Sequence, residues 1–90
     1  MNIGFLASVM AHRGFTASCL GCLAVALLDP SLKYEDALAF QEKHRELKGH
    51  QAVEILTHQN IKDGGAELLG YIGLLKLVTP EEFNRPQERK

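Results

Sequence analysis

The run Gly14-Phe15-Thr16-Ala17-Ser18-Cys19-Leu20-Gly21-Cys22-Leu23-Ala24-Val25-Ala26-Leu27-Leu28 carries no charge and no proline, and its reading decides the fold of this 90-residue chain. Alanine and leucine dominate it, and both are strong helix formers. Together with the apolar residues from Ile3 onward it reads as one helix over residues 3 to 28, broken, if anywhere, near Gly14. Asp29-Pro30 closes it, because proline cannot continue the hydrogen-bond ladder and disfavours helical geometry at the residue before it.

Downstream, Ala37, Phe40, His44 and Leu47 recur at the three-four spacing of an amphipathic helix from about Lys33 to Lys48. Glu35 and Asp36 in its first turn and Lys43, Arg45 and Lys48 near its end complement the macrodipole, and Gly49 is its expected stop. A shorter helix is expected from about His50 to Gln59, then a loop at Lys62-Asp63-Gly64-Gly65. Ala66 to Val78 reads as a buried helix whose end, Leu74 to Val78, is also compatible with extended chain. Thr79-Pro80-Glu81-Glu82 has the form of a helix start, with Thr79 as cap, Pro80 in the first turn and Glu82 placed for a capping box. The sequence therefore predicts an all-α fold, a small bundle of four to five helices in a single domain over residues 1–90, frayed at about 87–90.

Ten Lys and Arg against eleven Asp and Glu give a net charge of -1, so no broad positive field attracts a phosphate backbone or an anionic membrane. With 46% hydrophobic and 23% charged residues the composition is that of a folded protein. The first 32 residues hold only Arg13 and Asp29 as charges. A membrane span is nevertheless disfavoured: Gly14 to Leu28 as helix reaches about 22 Å against the roughly 30 Å of a bilayer core. Ala24-Val25-Ala26 resembles a small-x-small cleavage site, but His12 and Arg13 follow ten uncharged residues and make a poor signal n-region. Two cysteines three residues apart are no disulfide framework, so a reducing, cytoplasmic setting is expected.

Cys19-Leu20-Gly21-Cys22 has the CxxC spacing of dithiol redox sites and of half a zinc site. Inside a long apolar helix, however, the pair reads as two buried small hydrophobes, dispensable for activity. His12, His44, His50 and His58 could complete a metal site in principle, but a break at Gly49 would split His44 from His50, and His50 and His58 lie two turns apart. The expectation is thus no metal, no cofactor and no catalytic residue. A helix-turn-helix reading fails because the recognition helix would offer Lys76 as its one base.

Gly14, Ser18, Cys22 and Ala26 fall four apart, which on a helix lays a stripe of small side chains suited to close packing. Two helices apolar around most of their circumference exceed what one small bundle can cover. The sequence reading is therefore a non-enzymatic interaction module, an adaptor, inhibitor or regulator of a protein partner. It is expected to be a homodimer, with the Gly14, Ser18, Cys22, Ala26 stripe or the apolar face beside it as a protein contact; packing of the stripe within one chain is the equal alternative. Two alternatives accompany it: a membrane-associated or exported small protein, and a metal- or thiol-dependent protein using the CxxC pair.

Overall fold

The computed structural model describes residues 3–64 and 74–86. Its centre is a four-stranded sheet with helices against both faces, so the all-α bundle inferred from the sequence is incorrect. In chain order the elements are α1 (Ile3–Ala11), β1 (Thr16–Cys19), β2 (Ala24–Leu27), α2 (Tyr34–Lys48), β3 (Val53–Leu56), α3 (His58–Asp63), β4 (Lys76–Val78) and α4 (Pro80–Phe83). The strands lie in the order β3-β1-β2-β4, with β1 antiparallel to both β2 and β3 and β2 parallel to β4.

The stretch read as one long helix holds α1 and then a β-hairpin. Cys19 stands opposite Ala24 and Thr16 opposite Leu27, and the amide of Leu28 donates to the Phe15 carbonyl at 2.9 Å to extend the ladder. Hairpin strands usually betray themselves by alternation of apolar and polar residues. Here Thr16 to Cys19 and Ala24 to Ala26 are all buried, because both faces of the sheet are covered. On one face Ala17, Cys19, Ala24, Ala26 and Val53 pack with Ala37 of α2 and Phe83 of α4. On the other, Val25 packs with Val9 of α1, Ile61 of α3 and Leu75. The apolar character of residues 16–28 thus belongs to a pair of doubly covered strands rather than to an all-round apolar helix.

Where local chemistry was strong, the element formed. The segment Tyr34–Lys48 is a helix, with Ala37 and His44 buried on its inner side, and Gly49 ends it in the left-handed conformation at φ 73°. The amide of Gly49 donates to the Arg45 carbonyl at 2.9 Å. Thr79 caps α4, its hydroxyl accepting from the Glu82 amide at 3.1 Å, and Pro80 opens the helix. Asp29 follows strand β2 rather than the expected helix, its carboxylate accepting from the amide and hydroxyl of Ser31, each at 2.8 Å.

One further expectation is corrected and one open reading is decided. In place of a helix over His50 to Gln59, Val53–Leu56 pairs with β1 and α3 begins only at His58, its cap Thr57 accepting from Asn60 at 3.0 Å. The β-branched Val53 and Ile55 suit the pleated edge of β1 and bring burial that a free amphipathic helix lacks. Within Leu74 to Val78, which the sequence left open between helix and extended chain, Lys76–Val78 is strand β4. Gly65, Ala66 to Gly73 and the tail 87–90 lie outside the described residues.

Alanine dominates the α2 side of the sheet, which lets that helix lie close against the strands. Ala26 and Ala37 are both fully buried there. Ala26→Leu is therefore expected to overpack this seam and lower the unfolding free energy by about 1–3 kcal/mol in a denaturant titration. An unchanged midpoint would mean that the space between β2 and its covering helices is open.

Candidate metal centre

The β1–β2 hairpin is closed by Leu20, Gly21, Cys22 and Leu23, so the two cysteines stand at the end of a strand and in the following turn. Leu23 takes φ 53°, the left-handed conformation that turns the chain back into β2. The Leu20 amide donates to the Ala52 carbonyl at 3.2 Å, extending the β1–β3 ladder and drawing the segment after Gly49 alongside the turn. His50 arrives there next to Gly21. A Cβ on Gly21 would lie 2.6 Å from Cγ of the His50 ring, so the imidazole occupies space that only glycine leaves free. From the other side α2 contributes His44, which is completely buried.

Four potential ligand atoms from these three segments converge. The sulfurs of Cys19 and Cys22 and one ring nitrogen each of His44 and His50 all lie within 4.8 Å of one another. Cys22 Sγ is 3.2 Å from His50 Nδ1 and 3.5 Å from His44 Nε2, and Cys19 Sγ is 3.5 Å from His50 Nδ1. In a tetrahedral zinc site, with Zn–S near 2.3 Å and Zn–N near 2.0–2.1 Å, the edge joining a sulfur to a nitrogen is about 3.5 Å. Two of the three S···N separations match that edge length, and the third is shorter, at 3.2 Å. The Cys22 amide donates to Cys19 Sγ at 3.4 Å, which ties the turn to the end of β1.

Burial favours the neutral form of two of the four groups, Cys22 and His44. Burial pushes the Cys22 thiol above its ordinary pKa; contact with Cys19 adds to this, and the nearby charge of Lys48 opposes it. Burial likewise holds His44 below the usual imidazole range, with Lys48 and His50 adding to the shift against the hydrogen bonds that the imidazole donates to Asn84 and the Phe83 backbone. Neutral imidazole is the form that ligates.

Asn84 sets which nitrogen of His44 is available. Its Nδ2 donates to the Phe40 carbonyl at 3.1 Å, which turns Oδ1 toward His44 Nδ1 at 2.9 Å. An amide oxygen is an acceptor, so Nδ1 carries the proton and the lone pair of Nε2 faces Cys22. The Phe83 ring, 4.2 Å from the His44 ring between centroids, holds the imidazole in place. A ligating histidine whose second nitrogen is fixed by an outer partner is a recurrent feature of metal sites.

The other two histidines serve the fold. His12 Nε2 is 2.8 Å from the Leu28 carbonyl oxygen, and His58 Nδ1 is 2.8 Å from that of His12. The residues read as a stripe do not share one face. Gly14 lies in the bend before β1, where a Cβ would meet Pro30 at 2.8 Å. Ser18 pairs with Val25 and Ala17 with Ala26, so Ser18 and Ala26 point to opposite sides of the sheet, and Cys22 belongs to the turn. Sequence reasoning recognised CxxC but enclosed it in a helix, and it treated Gly49 as separating His44 from His50. The signal it passed over is the spacing: five residues, Arg45 to Gly49, separate the histidines, within the His-x3–5-His range of zinc sites that begin with Cys-x2–4-Cys.

No protein-family model, curated protein or solved structure matches this chain. Among the described residues, no helix is long and apolar enough to cross a membrane.

The arrangement around Asn84 makes a specific prediction for Zn2+ titrated into the chain against a competing chelator. Asn84→Ala frees His44 to rotate and change tautomer, and should weaken binding about 10- to 100-fold. Asn84→Asp keeps an acceptor at Nδ1 but loses the donor to the Phe40 carbonyl, and should bind more tightly than Asn84→Ala and more weakly than wild type. Equal affinities for wild type and Asn84→Ala would remove Asn84 from any positioning role.

Proposed function

We propose that this chain is a structural zinc-binding domain in which Cys19, Cys22, His44 and His50 ligate one Zn2+. The observation that carries this reading is the convergence, within 4.8 Å, of four donor atoms from a hairpin turn, a helix and the segment beyond that helix. Two soft thiolates and two imidazoles favour zinc over magnesium or calcium, which take oxygen ligands. Four protein ligands complete the shell and leave no position for water, so the ion holds the fold together rather than activating a hydrolytic nucleophile.

The energetic case is that the sheet needs such a staple. Its strands are three or four residues long, and alanines supply much of the core facing α2. Each buried methyl or methylene group contributes about 0.8 kcal/mol, against about 1.5–3 kcal/mol for a buried Leu, Ile, Val or Phe side chain. A metal joining the hairpin to α2 and to the lead-in of β3 supplies what this core lacks, because the free energy of binding a structural ion is also free energy of folding. On this reading the cysteines are indispensable, contrary to the expectation from sequence.

Protein purified without chelator is expected to contain one zinc per chain. Removing it should lower the melting temperature and broaden the tertiary signals, with recovery on adding Zn2+ back. Cys22→Ala and His50→Ala should each abolish stoichiometric binding. A metal-free wild-type chain that melts at the same temperature with and without added Zn2+ would refute the proposal.

A further inference from the structure

Beside Cys22, the end of α2, strand β4 and the residues after α4 enclose a cleft of about 290 Å³. Each of these segments contributes one cation to its wall: Lys48, Lys76 and Arg85. The one carboxylate lining it is Glu82. Among the described residues the only ion pair is Arg45 with Glu42, so none of these three cations is paired with a carboxylate there. The chain has a net charge of -1, and this concentration of positive charge is therefore not the by-product of a basic composition.

Like charges around one concavity repel, and low-dielectric walls strengthen the local field. An anion between them converts repulsion into charge-assisted hydrogen bonding. The proposed metal centre, with two thiolates, two neutral imidazoles and Zn2+, is itself neutral. On that reading the cations are not consumed in offsetting Cys19 and Cys22. The rest of the wall is apolar, formed by Leu23, Ala24, Val78 and Phe83.

We propose that this cleft binds a small phosphomonoester, its dianionic head between Lys48, Lys76 and Arg85 and its organic group against Leu23 and Val78. Arginine offers a planar fork to two phosphate oxygens, while the lysines act as point charges that adapt to the third. The volume lies at the lower limit of about 300 Å³ for small-molecule pockets, which suits one phosphate with a compact substituent.

The test is a calorimetric titration of phenyl phosphate into the zinc-loaded full chain at low ionic strength, with zinc measured in the same samples. The expected result is saturable binding of one ligand per chain, weakened at least about tenfold in Lys76→Ala/Arg85→Ala while zinc content and melting temperature stay unchanged. Inorganic phosphate should bind more weakly, because it leaves the apolar wall uncovered. Non-saturable heats, equal binding by the double variant, or equal affinity for inorganic phosphate would each overturn the assignment. A zinc-loaded chain without saturable binding refutes the cleft and spares the metal centre. A wild-type chain that takes up no zinc yet binds phenyl phosphate through Lys76 and Arg85 refutes the metal centre and supports the cleft.

Discussion

Two sulfurs and two imidazole nitrogens drawn into one small volume are poor partners for each other. Thiols are weak hydrogen-bond donors and acceptors, and burying an imidazole without a strong partner carries a desolvation cost. In the site proposed above, a divalent cation at their centre would replace those weak contacts with four coordinate bonds. On that proposal the surrounding structure would depend on the exchange, because the four groups come from segments that are otherwise held together by short strands and small side chains. His44 fixes the height of α2 over the sheet, His50 fixes the entry into β3, and the two cysteines fix the turn between β1 and β2.

Each of those positions has a local cost that makes sense only in this context. Leu23 adopts a left-handed conformation at φ 53°, which costs a non-glycine residue about 1–2 kcal/mol. Its carbonyl accepts the amide of Lys76 at 2.9 Å, so the strained residue also anchors β4 to the sheet. Gly21 gives up a side chain to admit the His50 ring. On the far side, Asn84 ties α4 to both α2 and His44, so even the last described helix is keyed to the orientation of one imidazole. The cleft with its three cations opens where these pieces meet, sharing Cys22 with the centre.

How much of this was legible in the sequence varies with how local the physics is. The helix Tyr34–Lys48 was readable because charge placement, apolar spacing and the Gly49 stop all act within a few residues. Thr79-Pro80 announced α4 for the same reason. The hairpin was not readable. Ala17, Leu20, Ala24 and Leu27 have helical propensity, and burial on both faces erased the period-two pattern that marks a strand. Pairing of β1 with β3 depends on contacts between residues far apart in the chain, such as Ala17 with Ile55, which no window of sequence displays. The site followed the same rule. Its ligand types and spacings were present in the chain, but with Cys19 and Cys22 assigned to a helix they had nowhere to converge with His44 and His50. Gly49, read as a barrier between the histidines, is the hinge that brings His50 round.

Zinc-edge X-ray absorption on the purified chain tests the central claim most directly, because it counts and ranges the atoms around the ion. The account predicts two sulfurs at about 2.3 Å and two nitrogens at about 2.0–2.1 Å, one ion per chain. A first shell of oxygen and nitrogen without sulfur, or no stoichiometric zinc in wild-type protein, would contradict it.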